Sequence, residues 1–114
     1  MEKPIYVDFS KEANIIYSYV SRRALSSKSE RIMLTAILRN IERIKNNPNS
    51  GDCVPKRLIP EEYIRKYYIH NLYRMELPFF WRMLYTIKDD EIEIIAFVLD
   101  IADHKDYNKK FGYK

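Results

Sequence analysis

Residues 72–100 read LYRMELPFFWRMLYTIKDDEIEIIAFVLD. Three runs of aromatic and β-branched residues, Leu72 to Leu77, Trp81 to Ile87 and Ile92 to Asp100, are separated by Pro78-Phe79-Phe80 and by Lys88-Asp89-Asp90-Glu91. Spacers of that length suit hairpins, so the stretch predicts a three-stranded antiparallel meander. The last run, IEIIAFVL, is apolar on both parities, as expected of a strand interior to a sheet and buried on both faces.

Upstream the period changes. Pro4 to Phe9 alternates side chains around β-branched and aromatic residues and predicts a first strand, paired beside the last run or at an edge. Ser10 can cap a helix that runs to about Leu25, with Ile15, Ile16, Tyr19 and Val20 at spacings of three and four. Ser27 and Glu30 match the S-x-x-E pattern, in which each side chain bonds a backbone N–H at a helix start. Leu34, Ile37, Leu38, Ile41 and Ile44 then mark the apolar stripe of a second helix, which stops at the turn formers of Asn46 to Gly51. So short a break folds the two helices into a hairpin. Residues 52–71 read as a connector with a short helix after Pro60, carrying Tyr63, Ile64 and Tyr67. The expected architecture is α+β in one domain over residues 1–114: an N-terminal strand, an α-helical hairpin, then the meander, with the hairpin covering one sheet face.

Composition bounds the function. The chain has 114 residues, 46% hydrophobic and 32% charged, and its 2 glycines leave no Gly-rich phosphate loop. No apolar run approaches the roughly 20 residues of a membrane helix, and MEKPIYVDF is not a secretory signal, so a cytoplasmic protein without membrane partners is expected. The lone Cys53 with His70 and His104 lacks zinc-site spacing; neither a metal nor a cofactor is expected. Net charge is +4. Residues 1–50 carry nine Lys+Arg against five Asp+Glu, while residues 51–114 are balanced at eleven each. That excess points mildly toward nucleic acid or an acidic partner, without the dense basic stripe of a dedicated nucleic-acid binder.

Strand parity selects candidate residues. Arg74 and Glu76 are two apart and share a face, leaving Met75 and Leu77 to pack under the helices. Arg82, between Trp81 and Met83, reaches the same open face as Arg74. Beyond the last run come Asp103, His104, Lys105 and Tyr107. Cleavage of RNA by its own 2′-hydroxyl needs a base, cations around the phosphorane and an acid for the departing 5′ oxygen. Glu76, then Arg74 with Arg82, then His104 fit those roles in order, and Tyr107 fits phosphate orientation or base stacking. Lys56 and Arg57 in the connector, with Lys105, are the candidate RNA-binding cations. The same residues also fit a plainer reading: a surface Arg74–Glu76 pair, His104 in a polar turn, and Phe79-Phe80-Trp81, like Tyr63-Tyr67-Tyr68, as core or edge packing rather than base platforms. The catalytic reading expects Arg74, Glu76, Arg82 and His104 on one concave face, with Met75, Leu77, Leu34, Ile37, Leu38 and Ile41 in the core behind it.

The order Asn71-Leu72-Tyr73-Arg74 through Leu77-Pro78, then Trp81-Arg82-Met83-Leu84-Tyr85-Thr86-Ile87, then Leu99-Asp100 and Asp103-His104-Lys105 through Tyr107, Phe111 and Tyr113, resembles the C-terminal part of RelE/ParE superfamily toxins, especially archaeal RelE-like members. The resemblance covers residues 52–114 by motif and the whole chain by element order. It implies the RelE-like microbial RNase fold and a type II toxin that cuts mRNA in the ribosomal A site without a metal. Its implied partners are an acidic antitoxin, mRNA and the ribosome, with a homodimer as a further option. By position, Arg74 and Arg82 fall on basic residues of the second and third strands, His104 in the C-terminal region that supplies an arginine or histidine, and Tyr107 near a tyrosine. Glu76 departs from RelE, which is basic there. The ParE branch keeps the fold but inhibits DNA gyrase, and a non-enzymatic ParE-like binder or catalytically lost interaction module is the alternative.

Overall fold

A computed structural model describes residues 3–112. Its strands β1 (Ile5–Phe9), β2 (Asp52–Cys53), β3 (Tyr73–Glu76), β4 (Arg82–Asp89) and β5 (Ile94–Ala102) form one sheet in the spatial order β1-β5-β4-β3-β2. β3, β4 and β5 make the antiparallel meander. β1 lies at the edge, parallel to β5, with Ile5 opposite Ile94 and Phe9 opposite Val98, so the sheet is mixed. Four α-helices accompany it among the described residues: α1 (Lys11–Arg23), α2 (Lys28–Asn46), α3 (Glu61–Tyr67) and α4 (His104–Phe111). The architecture is α+β.

The α1–α2 hairpin covers one face. Met33, Ile37 and Ile44 of α2 meet Met75, Met83 and Tyr85 of the sheet in the larger core. Ser10 pins α1 to β5, its hydroxyl donating to the Leu99 carbonyl at 2.8 Å while accepting from the Ala13 N–H at 3.0 Å. The expected capping box at α2 does not form: the Ser27 hydroxyl donates to the Glu30 carboxylate instead of accepting from the backbone. Leu38, expected in the core, is 44% exposed, because the buried stripe runs through Met33, Ile37, Asn40 and Ile44 and leaves Leu38 beyond its edge. Asn40 is tolerated there because its Nδ2 donates to the Glu76 carbonyl at 3.2 Å.

The opposite sheet face, expected to be open, is largely covered. Tyr63 of α3 and Tyr107 of α4 close over Leu72, Leu84, Leu99 and Ala102 as a second core. A β-bulge prepares this side. Leu84 pairs with Asp100 but Tyr85 with Val98, so Leu99 has no cross-strand partner and both Leu99 and Asp100 serve the second face. Asp100, itself buried, accepts from the Tyr63 hydroxyl at 2.5 Å and from Lys110 Nζ at 2.8 Å, tying α3 and α4 to β5. Burial, and then the Asp100 carboxylate, push the Tyr63 phenol far above its ordinary value, so it remains a donor. For Lys110 burial opposes the charge, but Asp100 and Glu62 outweigh it and raise the ammonium pKa.

Near the far end of the sheet the Tyr85 hydroxyl donates to the Pro48 carbonyl at 2.6 Å and accepts from the Gly51 N–H at 3.0 Å. A Cβ on Gly51 would stand 2.9 Å from that oxygen, which explains one of the two glycines by close approach. Glu12 of α1 makes a second clasp, an ion pair with Lys66 and a hydrogen bond at 2.9 Å from the Tyr67 hydroxyl of α3. The Lys66 ammonium first, with a backbone N–H and the Tyr67 hydroxyl behind it, lowers the Glu12 pKa from 4.5 to about 2. Because the folded pKa lies below the unfolded one, this stabilisation is complete above about pH 4.5 and is lost as pH falls toward 2. We expect the protection factors of α3 amides, taken against the intrinsic exchange rate at each pH, to fall over that window and E12Q to flatten the dependence; equal acid profiles for E12Q and the parent would remove Glu12 from the clasp.

Candidate active site

β3 and β4 place Arg74 opposite Leu84 and Glu76 opposite Arg82, so both arginines and the glutamate project from the second face at its β3 end. α4, which follows β5 after one residue, brings Tyr107 over them. Arg74 Nη1 donates to the Tyr107 hydroxyl at 3.0 Å, and its guanidinium lies 3.5 Å from Asp52 of β2. Arg82 stacks its guanidinium 5.0 Å from the Tyr107 ring centroid, and the ring of Phe111 stacks on Tyr107 at 4.4 Å. Glu76 sits between the cations, 3.4 Å from Arg74 Nε and 3.1 Å from Arg82 Nε.

Neither Nε is aligned for a hydrogen bond to Glu76, although both are buried. These contacts are therefore charge pairs without direction, and each N–H retains capacity for a better-placed oxygen. The Tyr107 hydroxyl first, with Glu76 and Asp52 behind it, pushes the Arg74 pKa further above its ordinary range. Two permanent cations, a half-exposed carboxylate and a phenol within one cluster can bind a phosphate, spread its developing charge and accept a proton.

Arg74, Glu76, Arg82 and Tyr107 are thus brought together. His104 is not part of that contact network: it is exposed at the first position of α4, with Nε2 3.2 Å from Asn108 Nδ2 and its ring 5.7 Å from that of Phe80. Phe80 is the link, since its carbonyl accepts from Arg82 Nη1. Lys105 follows His104 and is exposed. Lys56 and Arg57 are exposed in the 3-10 turn Lys56–Leu58, whose flanking Pro55 and Leu58 line a cleft of about 110 Å³ with Arg74 and Tyr107. The expected concave face is consequently this small cleft with a flat apron of Glu76 and Arg82, because α4 fills the rest. Asp52 lies against the cluster and escaped the sequence reading, which took Phe80 as packing more readily than as a base platform. β2 is two residues long and gives no strand signal, whereas Phe80 sits in a motif that reads as packing.

Among the described residues no three His, Cys, Asp or Glu side chains gather as metal ligands would, and no described helix is long and apolar enough to cross a membrane. No protein-family model matches the chain, and comparisons with curated proteins and with solved structures find no match.

Proposed function

We propose that the chain is a RelE-like toxin of a type II toxin-antitoxin pair, an endoribonuclease that cuts mRNA on the ribosome. The observation that supports it is the meeting of Arg74, Glu76, Arg82 and Tyr107 beside an exposed histidine at one end of the sheet. In this reading Glu76 takes the proton of the 2′-hydroxyl, whose oxygen bonds to phosphorus. Arg74 and Arg82 hold the phosphorane, and the P–O5′ bond breaks as His104 in its protonated form gives the 5′ oxygen a proton. The products are a 2′,3′-cyclic phosphate and a 5′-hydroxyl. The chemistry asks for no metal, only for charge already positioned. Lys56, Arg57 and Lys105 supply further phosphate contacts. An acidic antitoxin as principal partner suits the exposed face of α2, where Lys28, Arg31 and Arg39 surround Ile32; co-purification with an acidic neighbouring gene product tests it.

The deciding experiment is cleavage of mRNA on programmed ribosomes. The unmodified protein should release 5′-hydroxyl ends, and His104→Gln should slow cleavage about 10²-fold, the scale for losing a positioned acid, with melting unchanged. Glu76→Gln separates a base from a structural pair: a large loss supports the base, a small one leaves 2′-hydroxyl activation to the alignment of the substrate. One observation favours the non-enzymatic alternative, namely that His104 pairs with Asn108 and touches neither arginine. Growth arrest without any mRNA cleavage would make a ParE-like topoisomerase binder the better reading.

A further inference from the structure

The turn between β3 and β4 carries two adjacent aromatic residues in left-handed backbone, with φ of 62° at Phe79 and 63° at Phe80. Bulky side chains rarely adopt this conformation, and a residue held in it calls for a compensating role. The two rings go separate ways. Phe79 turns to the helical side, where it lines a cleft with Ile15, Tyr19 and Trp81. Phe80 is 71% exposed, so packing does not offset its strain. Polar groups stand beside it: Arg82 bonds its carbonyl, and His104 faces its ring at 5.7 Å with a 55° tilt.

A protein partner that buried an exposed phenylalanine would want apolar neighbours around it. A planar π face beside a guanidinium and an imidazole instead suits a single-stranded nucleotide, whose base stacks while its phosphate meets the charge. We propose that Phe80 is a stacking platform for an unpaired RNA base adjoining the phosphate held by Arg82. This rests on the RNA-cleaving reading above and adds to it a binding subsite formed by a strained turn.

The test is fluorescence anisotropy with a labelled single-stranded RNA hexanucleotide, 2′-O-methylated so that it cannot be cut. Phe80→Leu should weaken binding about ten-fold, the usual effect of losing one base–aromatic stack, while Phe80→Trp retains it. Phe80→Gly should weaken binding as much yet melt no lower than the parent, because glycine relieves the positive φ; this separates the ring's role from the fold. Phe79→Leu should leave binding unchanged. Equal affinity of the parent, F80L and F80G, or no binding of the hexanucleotide by the parent, overturns the platform, and cleavage on programmed ribosomes then decides the catalytic reading by itself. Binding that depends on Phe80 in a protein that cuts no mRNA would keep the subsite and remove the catalysis.

Discussion

Replacing Arg82 by alanine is expected to lower mRNA cleavage on ribosomes by about 10²- to 10³-fold, the scale for removing a charge positioned where the transition state develops its own. Arg74 is held by three partners, Tyr107, Asp52 and Glu76. Among the described residues Arg82 has only Glu76 as a charged partner; it also donates to the Phe80 and Trp81 carbonyls and lies over the face of Tyr107. Fewer carboxylates therefore compete with a phosphate for its charge than at Arg74. Its side chain is 14% exposed, so the stem contributes packing as well, and alanine should cost about 1 kcal/mol of stability. Arg82→Lys retains the charge but not the planar fork, and should recover only part of the rate. Single-turnover cleavage alongside thermal melting separates the two effects. Parental cleavage by the alanine variant would leave Arg82 as a packing residue of Tyr107.

The largest effect on stability is expected at Asp100. Its buried carboxylate accepts from Tyr63 and Lys110, and Lys110 also lies 3.7 Å from Glu62. Asp100→Ala strands a buried phenol hydroxyl and a mostly covered ammonium, which together should cost about 3 kcal/mol. For a chain of this size that lowers the melting temperature by roughly 10 to 15 °C. Tyr63→Phe leaves Asp100 paired with Lys110 and should cost only about 1 kcal/mol. The alanine variant should also cut RNA poorly, because the helix it loosens carries Tyr107. A melting point within about 3 °C of the parent would mean that stacking of Tyr107 on Phe111 holds α4 without the carboxylate.

The meander was legible because three aromatic and β-branched runs between Leu72 and Asp100 are separated by turn-length spacers, and strand side chains alternate with a two-residue period even where, as in the last run, both parities are apolar. The parity that puts Arg74, Glu76 and Arg82 on one face follows from that period, and the structure has them there. α4 was not legible by periodicity, since Tyr107 and Phe111 are its only apolar positions. Its ends nevertheless carry signals: Asp103 accepts from the Asp106 N–H at 2.8 Å as an N-cap, and Gly112 stops the helix at φ 74°. Read as a polar turn, that segment left the second face open and attached His104 to a strand end. The bulge at Leu99 was also hidden, because in a run apolar on both parities an added residue does not disturb the pattern. Leu38 misled for the opposite reason. A stripe of five apolar residues looks wider than the contact made by one helix, and a buried Asn40 breaks the rule that would have narrowed it.

The parallel pairing of β1 with β5 bears on how the chain matures during synthesis. Ile5 meets Ile94, a separation of 89 residues, and among the described residues β1 has no other strand beside it. At translation rates of about 5–20 residues per second, roughly 4 to 18 s separate the emergence of the two strands. Until β5 emerges the α1–α2 hairpin has at most the β3–β4 pair to cover, and contacts this distant in sequence slow folding. Arg74, Arg82 and Tyr107 come later in the chain than the hairpin, so their cluster assembles in the same closing step as the sheet. A nascent chain interrupted before β5 would carry the helices and the strained turn but would lack Tyr107, whose hydroxyl and ring close the Arg74–Arg82 cluster.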